Sequence, residues 1–195
     1  PALTVVFASL VGVALAFVFP FVQTGLKAAS TLIDSTGVFG AFIYGFSERM
    51  LLPFGLHHFI YLPFFFTSLG GSIQVDGQTV EGAVNIYNAM LNTPGMMYDI
   101  DISKYVMNGK VLFAMCGLPA AALAIYHCAR PENKKKVGSL MIAAVIPAAI
   151  MGITEPLEYS FLFVAPVLYV VHALLCGIAY VLTYLVQFNV PGPSA

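Results

Sequence analysis

Glu155 and Glu158 stand three positions apart in MGITEPLEYSFLFVAP (151–166), with apolar runs on both sides. A charged side chain at the centre of a bilayer costs about 2.5–3.5 kcal/mol even on insertion scales. Two uses justify it. Pro is favoured at the first helical position, so a helix starting at Pro156 would put Glu155 at its N-cap and Glu158 at its third residue. Free N–H groups and the positive end of the helix dipole would then stabilise both carboxylates. Glu is a poor N-cap, however, and a carboxylate that accepts two hydrogen bonds from adjacent hydroxyls suits a neutral polyol. Glu155, between Thr154 and Pro156, is read as the ligand-facing acid, and Glu158 as the helix cap.

A second cluster lies in SERMLLPFGLHHFIYLPFFFTSLGG (47–71). A neutral imidazole donates at one nitrogen and accepts at the other, which also suits hydroxyls. Adjacent His57 and His58 on a helix would point about 100° apart, so one is expected to serve a ligand and the other to pack against backbone. Arg49, eight residues before His57, has two open readings: an ion pair anchoring the segment, or a contact to substrate or phosphate. His172 is read as a structural hydrogen-bonder and His127 as interfacial. Spaced metal ligands of the HExxH kind are absent, so no metal is expected.

The elements that must position these groups follow from composition. Of 195 residues, 59% are hydrophobic and 9% charged, where a soluble domain carries about 25% charge. The solvent is therefore largely hydrocarbon, and the fold class is an all-α integral membrane protein. Net charge is −1, which leaves no basic face for nucleic acid. Cys116, Cys128 and Cys176 match no zinc or CxxC spacing and are expected to be reduced packing residues. The first residues, PALTVVFASL, lack the basic region and cleavage site of a signal peptide, and both ends are expected to be cuts in a longer protein.

Residues 3–19 are apolar and lead to Pro20, which should bend or break the helix; DSTG at 34–37 punctuates. Residues 47–70 are too polar and broken for one span, yet too apolar for a solvated loop. Irregular backbone at membrane depth is tolerated only when buried in protein or lining a wet cavity. The segment is read as re-entrant or discontinuous, and 147–166 likewise. Two Gly/Pro-interrupted apolar segments in one chain point to a transporter-type site between them. VDGQ at 75–78 predicts a hairpin turn, and VEGAVNIYNAML (80–91) a short amphipathic helix. Residues 110–129 can span, with a kink at Pro119, and 161–188 form a long span interrupted by Pro166 and His172. The basic loop RPENKKKVG (130–138) marks the cytoplasmic side, which puts the acidic 71–108 region outside.

GLHHFIYLPFF, GLPAAALAIYHCARPENKKKVG and GITEPLEYSFLFVAPVLYVVHALLCG together resemble the membrane-embedded C component of enzyme II of the bacterial phosphoenolpyruvate-dependent sugar phosphotransferase system, glucose superfamily. The resemblance covers nearly all of residues 38–190. It implies a multi-pass, homodimeric permease of the bacterial inner membrane that binds sugar outside and carries it inward by a rigid-body, elevator-like movement. A phosphocysteine on the enzyme IIB domain would then phosphorylate it. The chain would thus be the membrane subunit of a protein-phosphocysteine sugar phosphotransferase, with no cofactor and no phosphocysteine of its own.

By motif, Glu155 would be the essential substrate glutamate, holding sugar hydroxyls. His57, with His58 second, would orient the accepting hydroxyl or ease its deprotonation. Arg49 and Thr154 would support the contact. Residues 1–36 would be a terminal or connecting helix of a preceding part, 37–190 the sugar-binding transmembrane domain, and 191–195 a truncated tail. The N-terminal spans that make most of the family's dimer contact would be largely missing. GLHHFIYLPFFFTSLGGS, with Tyr61-Leu62-Pro63, resembles the maltose and α-glucoside branch. A glucose or N-acetylglucosamine permease is the alternative. More distant rivals are a sugar transporter without group translocation, a structural membrane module and a soluble apolar-core protein.

Overall fold

The computed structural model describes residues 2–75, 77–93 and 108–186. The described residues are helical apart from one small hairpin and short turns, as the composition required. Helix α1 (Ala2–Thr36) runs through Pro20 without a break. A proline removes one intrahelical bond, but where no water competes for the rest, the helix keeps them and continues. Every residue from Leu3 to Phe21 is exposed. That stretch is apolar enough to cross a bilayer, so its natural surround is not water.

Gly37, with φ 57°, ends α1 and starts α2 (Val38–Leu51). The expected discontinuity follows. A 3₁₀ turn over Leu52–Phe54 contains Pro53, and Gly55 adopts the left-handed conformation with φ 68°. The chain then re-enters as α3 (His57–Phe66). A second 3₁₀ turn (Ser68–Gly70) leads into β1 (Ser72–Val75) and β2 (Gln78–Glu81), antiparallel with Ser72 opposite Glu81 and Val75 opposite Gln78. The strands meet where Asp-Gly predicts a turn, and Gly77 there has φ 80°. Asp76 itself, and Asp99, Asp101 and Lys104 of the acidic region, lie outside the described residues. Helix α4 (Ala83–Asn92) buries Ala83, Val84, Ile86, Tyr87 and Met90, the spacing of one helix face.

The second half begins with α5 (Asn108–Leu112), a π-helical turn (Phe113–Gly117) and α6 (Leu118–Cys128). The irregularity expected at Pro119 falls just ahead of it. The π turn changes the hydrogen-bond register immediately before the residue that lacks an N–H. After a 3₁₀ turn (Pro131–Asn133), α7 (Lys134–Met151) ends at left-handed Gly152. Then come α8 (Glu155–Leu162) and α9 (Pro166–Val186). The break between α8 and α9 falls before Pro166 as expected, whereas His172 sits inside α9 without interrupting it. Gly109–Cys128 and Pro166–Val186 are each long and apolar enough to cross a membrane.

The core forms where α2 and α5 close on α9. Tyr180 is 1% exposed, and its ring lies between two glycines. A Cβ on Gly45 would come within 2.4 Å of the ring, and one on Gly109 within 2.3 Å. Adding a side chain at either position forces the ring aside. Gly45→Val is expected to cost at least the usual overpacking penalty of about 1–3 kcal/mol, read as a lowered unfolding midpoint in detergent. A wild-type midpoint would show that α2 and α9 do not pack this closely.

Of the three thiols, all free, only Cys176 is buried. Cys116 and Cys128, expected as packing residues, instead face outward along an apolar groove between α6 and α9. In an apolar surround a thiol needs no protein partner to be accommodated, since it behaves as a small hydrophobe.

Candidate functional site

The two broken segments bring their charged residues together. Helix α3 begins at His57 and α8 at Glu155, so each candidate stands at the start of a half-helix. His57 Nε2 lies 3.6 Å from Glu155 Oε1. The Glu155 side chain keeps 35% of its surface and the His57 side chain 9%. One acid is therefore open to a ligand and backed by a nearly buried imidazole. Acidic residues in the first turn also meet the positive end of the α8 dipole. The histidine rings are closer than two splayed helical neighbours, 4.1 Å between centroids. Their environments differ: His57 is buried, while His58 is exposed and bonds through Nδ1 to the Tyr61 hydroxyl rather than to backbone. Lys110 sits on the same flank, its ammonium 4.5 Å from the Tyr61 ring centre. That is cation–π distance.

Behind this opening lies a sealed polar cluster. Arg49, 1% exposed, donates from Nη1 to Thr154 Oγ1 at 2.9 Å and to Glu158 Oε1 at 2.7 Å. His172 Nε2 lies 3.1 Å from the same Glu158 oxygen. A carboxylate can only accept, so the imidazole proton belongs on Nε2. The Tyr169 hydroxyl donates to the Arg49 carbonyl at 2.6 Å, and the Tyr180 hydroxyl to Glu48 Oε2 at 2.6 Å. Phe113 stacks against both Arg49 and His172.

Glu158 is therefore not the helix cap that its spacing suggests. It is fully buried, and it serves as the counter-ion of Arg49 across 109 positions of sequence. The helix also starts one residue earlier than Pro156 implies, with Thr154 in the N-cap place and no side-chain capping bond. The Thr154 hydroxyl is engaged by Arg49 instead. Arg49 thus takes the ion-pair reading, and through Thr154 it fixes the residue next to Glu155. Tyr169, Tyr180, Glu48 and Lys110 belong to the site region but carry no motif signal. Only buried or membrane-depth polarity could have marked them.

The arrangement defines a class: a helical membrane protein whose two interrupted segments converge on an accessible carboxylate–imidazole pair, locked from behind by a buried ion pair. The family model "Phosphotransferase system, EIIC" matches residues 1–177, and the chain belongs to that family. The match takes in the first 37 residues as well as the motif-bearing region. The chain is 46% identical over 172 residues to the maltose-specific EIICB component of Escherichia coli (strain K12). It is 44% identical over 176 residues to the glucose-specific EIICBA component of Staphylococcus saprophyticus. These matches cover 88% and 90% of this chain, but only 32% and 25% of the relatives. The chain spans about a third or a quarter of those proteins' length.

Proposed function

We propose that this chain forms the sugar-binding part of a permease for an α-glucoside of the maltose type, with Glu155 and His57 in direct contact with the sugar. The observation that carries the reading is their meeting at 3.6 Å across two broken segments, with the carboxylate left accessible. Glu155 accepts hydrogen bonds from two sugar hydroxyls. His57 accepts the proton of the hydroxyl that is to be phosphorylated. His58 borders the site beside Tyr61. Arg49 and Thr154 act from behind, by fixing the start of α8.

On this reading a phosphocysteine of the IIB domain supplies the phosphoryl group. The S–P bond breaks, an O–P bond forms at the sugar hydroxyl, and its proton leaves through His57. The chain works within a homodimer in the bacterial inner membrane, crossing it several times, with 130–138 on the cytoplasmic side and 71–108 outside. Tyr61-Leu62-Pro63 after the histidines supports the α-glucoside branch. A glucose permease is the second reading, favoured by the near-equal identity to a glucose-specific relative.

Binding of radiolabelled maltose and glucose to the detergent-purified protein, with and without Glu155→Gln, tests both. Maltose retained by the unaltered protein and lost in the variant, with the protein still folded, is the expected result. Preferential retention of glucose would move the protein to the other branch. Undiminished binding by the variant would remove Glu155 from the contact.

A further inference from the structure

We propose that the groove between α6 and α7 holds one anionic phospholipid, its phosphate at Lys134 and Lys135 and its acyl chain along Leu123, Ile142 and Ile146. The groove has a volume of about 570 Å³ and is lined from both helices. Its two ends differ in chemistry. Lys134 and Lys135 stand at one end, and the rest of the wall is mainly apolar, with Ser139 next to the charged end. Leu123, Ile142 and Ile146 are all exposed there. In a membrane they need a hydrocarbon neighbour.

The charged end is electrostatically uncompensated. Lys134, Lys135 and Lys136 open α7, where the helix dipole is positive, and the first turn has no acidic residue. Cations are unfavourable at that terminus. Among the described residues no carboxylate lies within ion-pairing distance of Lys134 or Lys135, and Glu132, one turn earlier, reaches neither. Lys134 instead places its ammonium 5.1 Å from the centre of the Tyr126 ring. An anion at this point offsets the lysine–lysine repulsion and the dipole together, as anions do at helix N-termini generally.

An amphiphile with an anionic head and an apolar tail matches both ends of the groove. A free anion matches only the lysines, and an apolar helix of another subunit matches only the wall. Basic pockets between transmembrane helices at the membrane surface bind anionic headgroups by this same pairing. Gly138 keeps the groove narrow beside the head: a Cβ there would sit 3.1 Å from the Tyr126 ring.

The test uses the protein in detergent, titrated with phosphatidylglycerol or phosphatidylcholine and followed by native mass spectrometry. Phosphatidylglycerol is expected to be retained over phosphatidylcholine. Lys134→Gln/Lys135→Gln is expected to weaken that retention about tenfold or more, with an unchanged unfolding midpoint in lipid-free detergent. Ile142→Trp, which crowds the apolar wall and leaves the charges in place, is expected to weaken it too. Glycerol phosphate, a head without a tail, is expected not to displace the lipid. Equal retention of the two lipids, indifference to both variants, or displacement by glycerol phosphate alone would each overturn the proposal.

Discussion

Arg49→Gln is expected to destabilise the protein by about 3–5 kcal/mol, the usual cost of stranding one member of a buried ion pair. Glu158 has no exposed surface. Its Oε1 is shared by Arg49 and His172, and its Oε2 is already buried without a partner. Removing the guanidinium leaves the carboxylate Oε1 with His172 as its remaining partner at a fully buried position. The same change releases Thr154, so the start of α8 loses its tie to α2. Glu158→Gln strands Arg49 in turn, whose Nε and Nη2 are also buried without partners. The double variant removes both charges, so its cost is expected to fall well short of the sum of the single costs, a coupling that a double-mutant cycle measures. Thermal unfolding of the four proteins in detergent supplies the cycle. Strictly additive losses, or an Arg49→Gln midpoint equal to wild type, would mean that the pair does not hold α2 to α8.

Glu155→Gln is expected to do the reverse, leaving stability nearly unchanged while removing most sugar affinity. A hydrogen bond to a charged group is worth about 1.5–3 kcal/mol, and each 1.4 kcal/mol is about tenfold in affinity. One lost charge-assisted contact therefore lowers affinity about 10–100-fold. The amide also replaces one acceptor oxygen with a donor, so a sugar hydroxyl pair loses its matched arrangement. Stability changes little because the carboxylate is a third exposed and can still be hydrated in the empty protein. Two glutamates three positions apart should thus separate by assay: Glu155 in sugar binding, Glu158 in unfolding. Loss of folding in Glu155→Gln, or of binding alone in Glu158→Gln, would reverse the assignment.

Much of this architecture was legible because bilayer physics leaves few alternatives. The charge deficit gave the helical class, and Gly and Pro marked 47–70 and 147–166 as broken segments, within which the observed breaks fall. Asp-Gly placed the hairpin. Glu155 and His57 were also singled out as candidates by their motifs, and the structure brings these two side chains within 3.6 Å. The sealed cluster behind them was not legible. Arg49 and Glu158 pair over 109 positions, and no local pattern encodes a partner so distant. Glu158 moreover sits three residues after Glu155, where helix-terminus rules offer a sufficient local explanation that the tertiary contact overrides. The break expected as one outcome at Pro20 does not occur, for a related reason. The helix-breaking rule is strongest where water competes for the freed backbone groups, and the surround of α1 is apolar.

The uninterrupted course of α1 has a consequence of plain length. Its 35 residues extend about 52 Å at 1.5 Å per residue. Its apolar stretch of 19 residues accounts for about 28 Å of this, close to the roughly 30 Å of hydrocarbon in a bilayer. The remaining turns separate the spanning stretch from the glycine where α2 begins. Each added or deleted turn changes that offset by about 5.4 Å. The stand-off between α1's apolar stretch and α2 is therefore set by residue count.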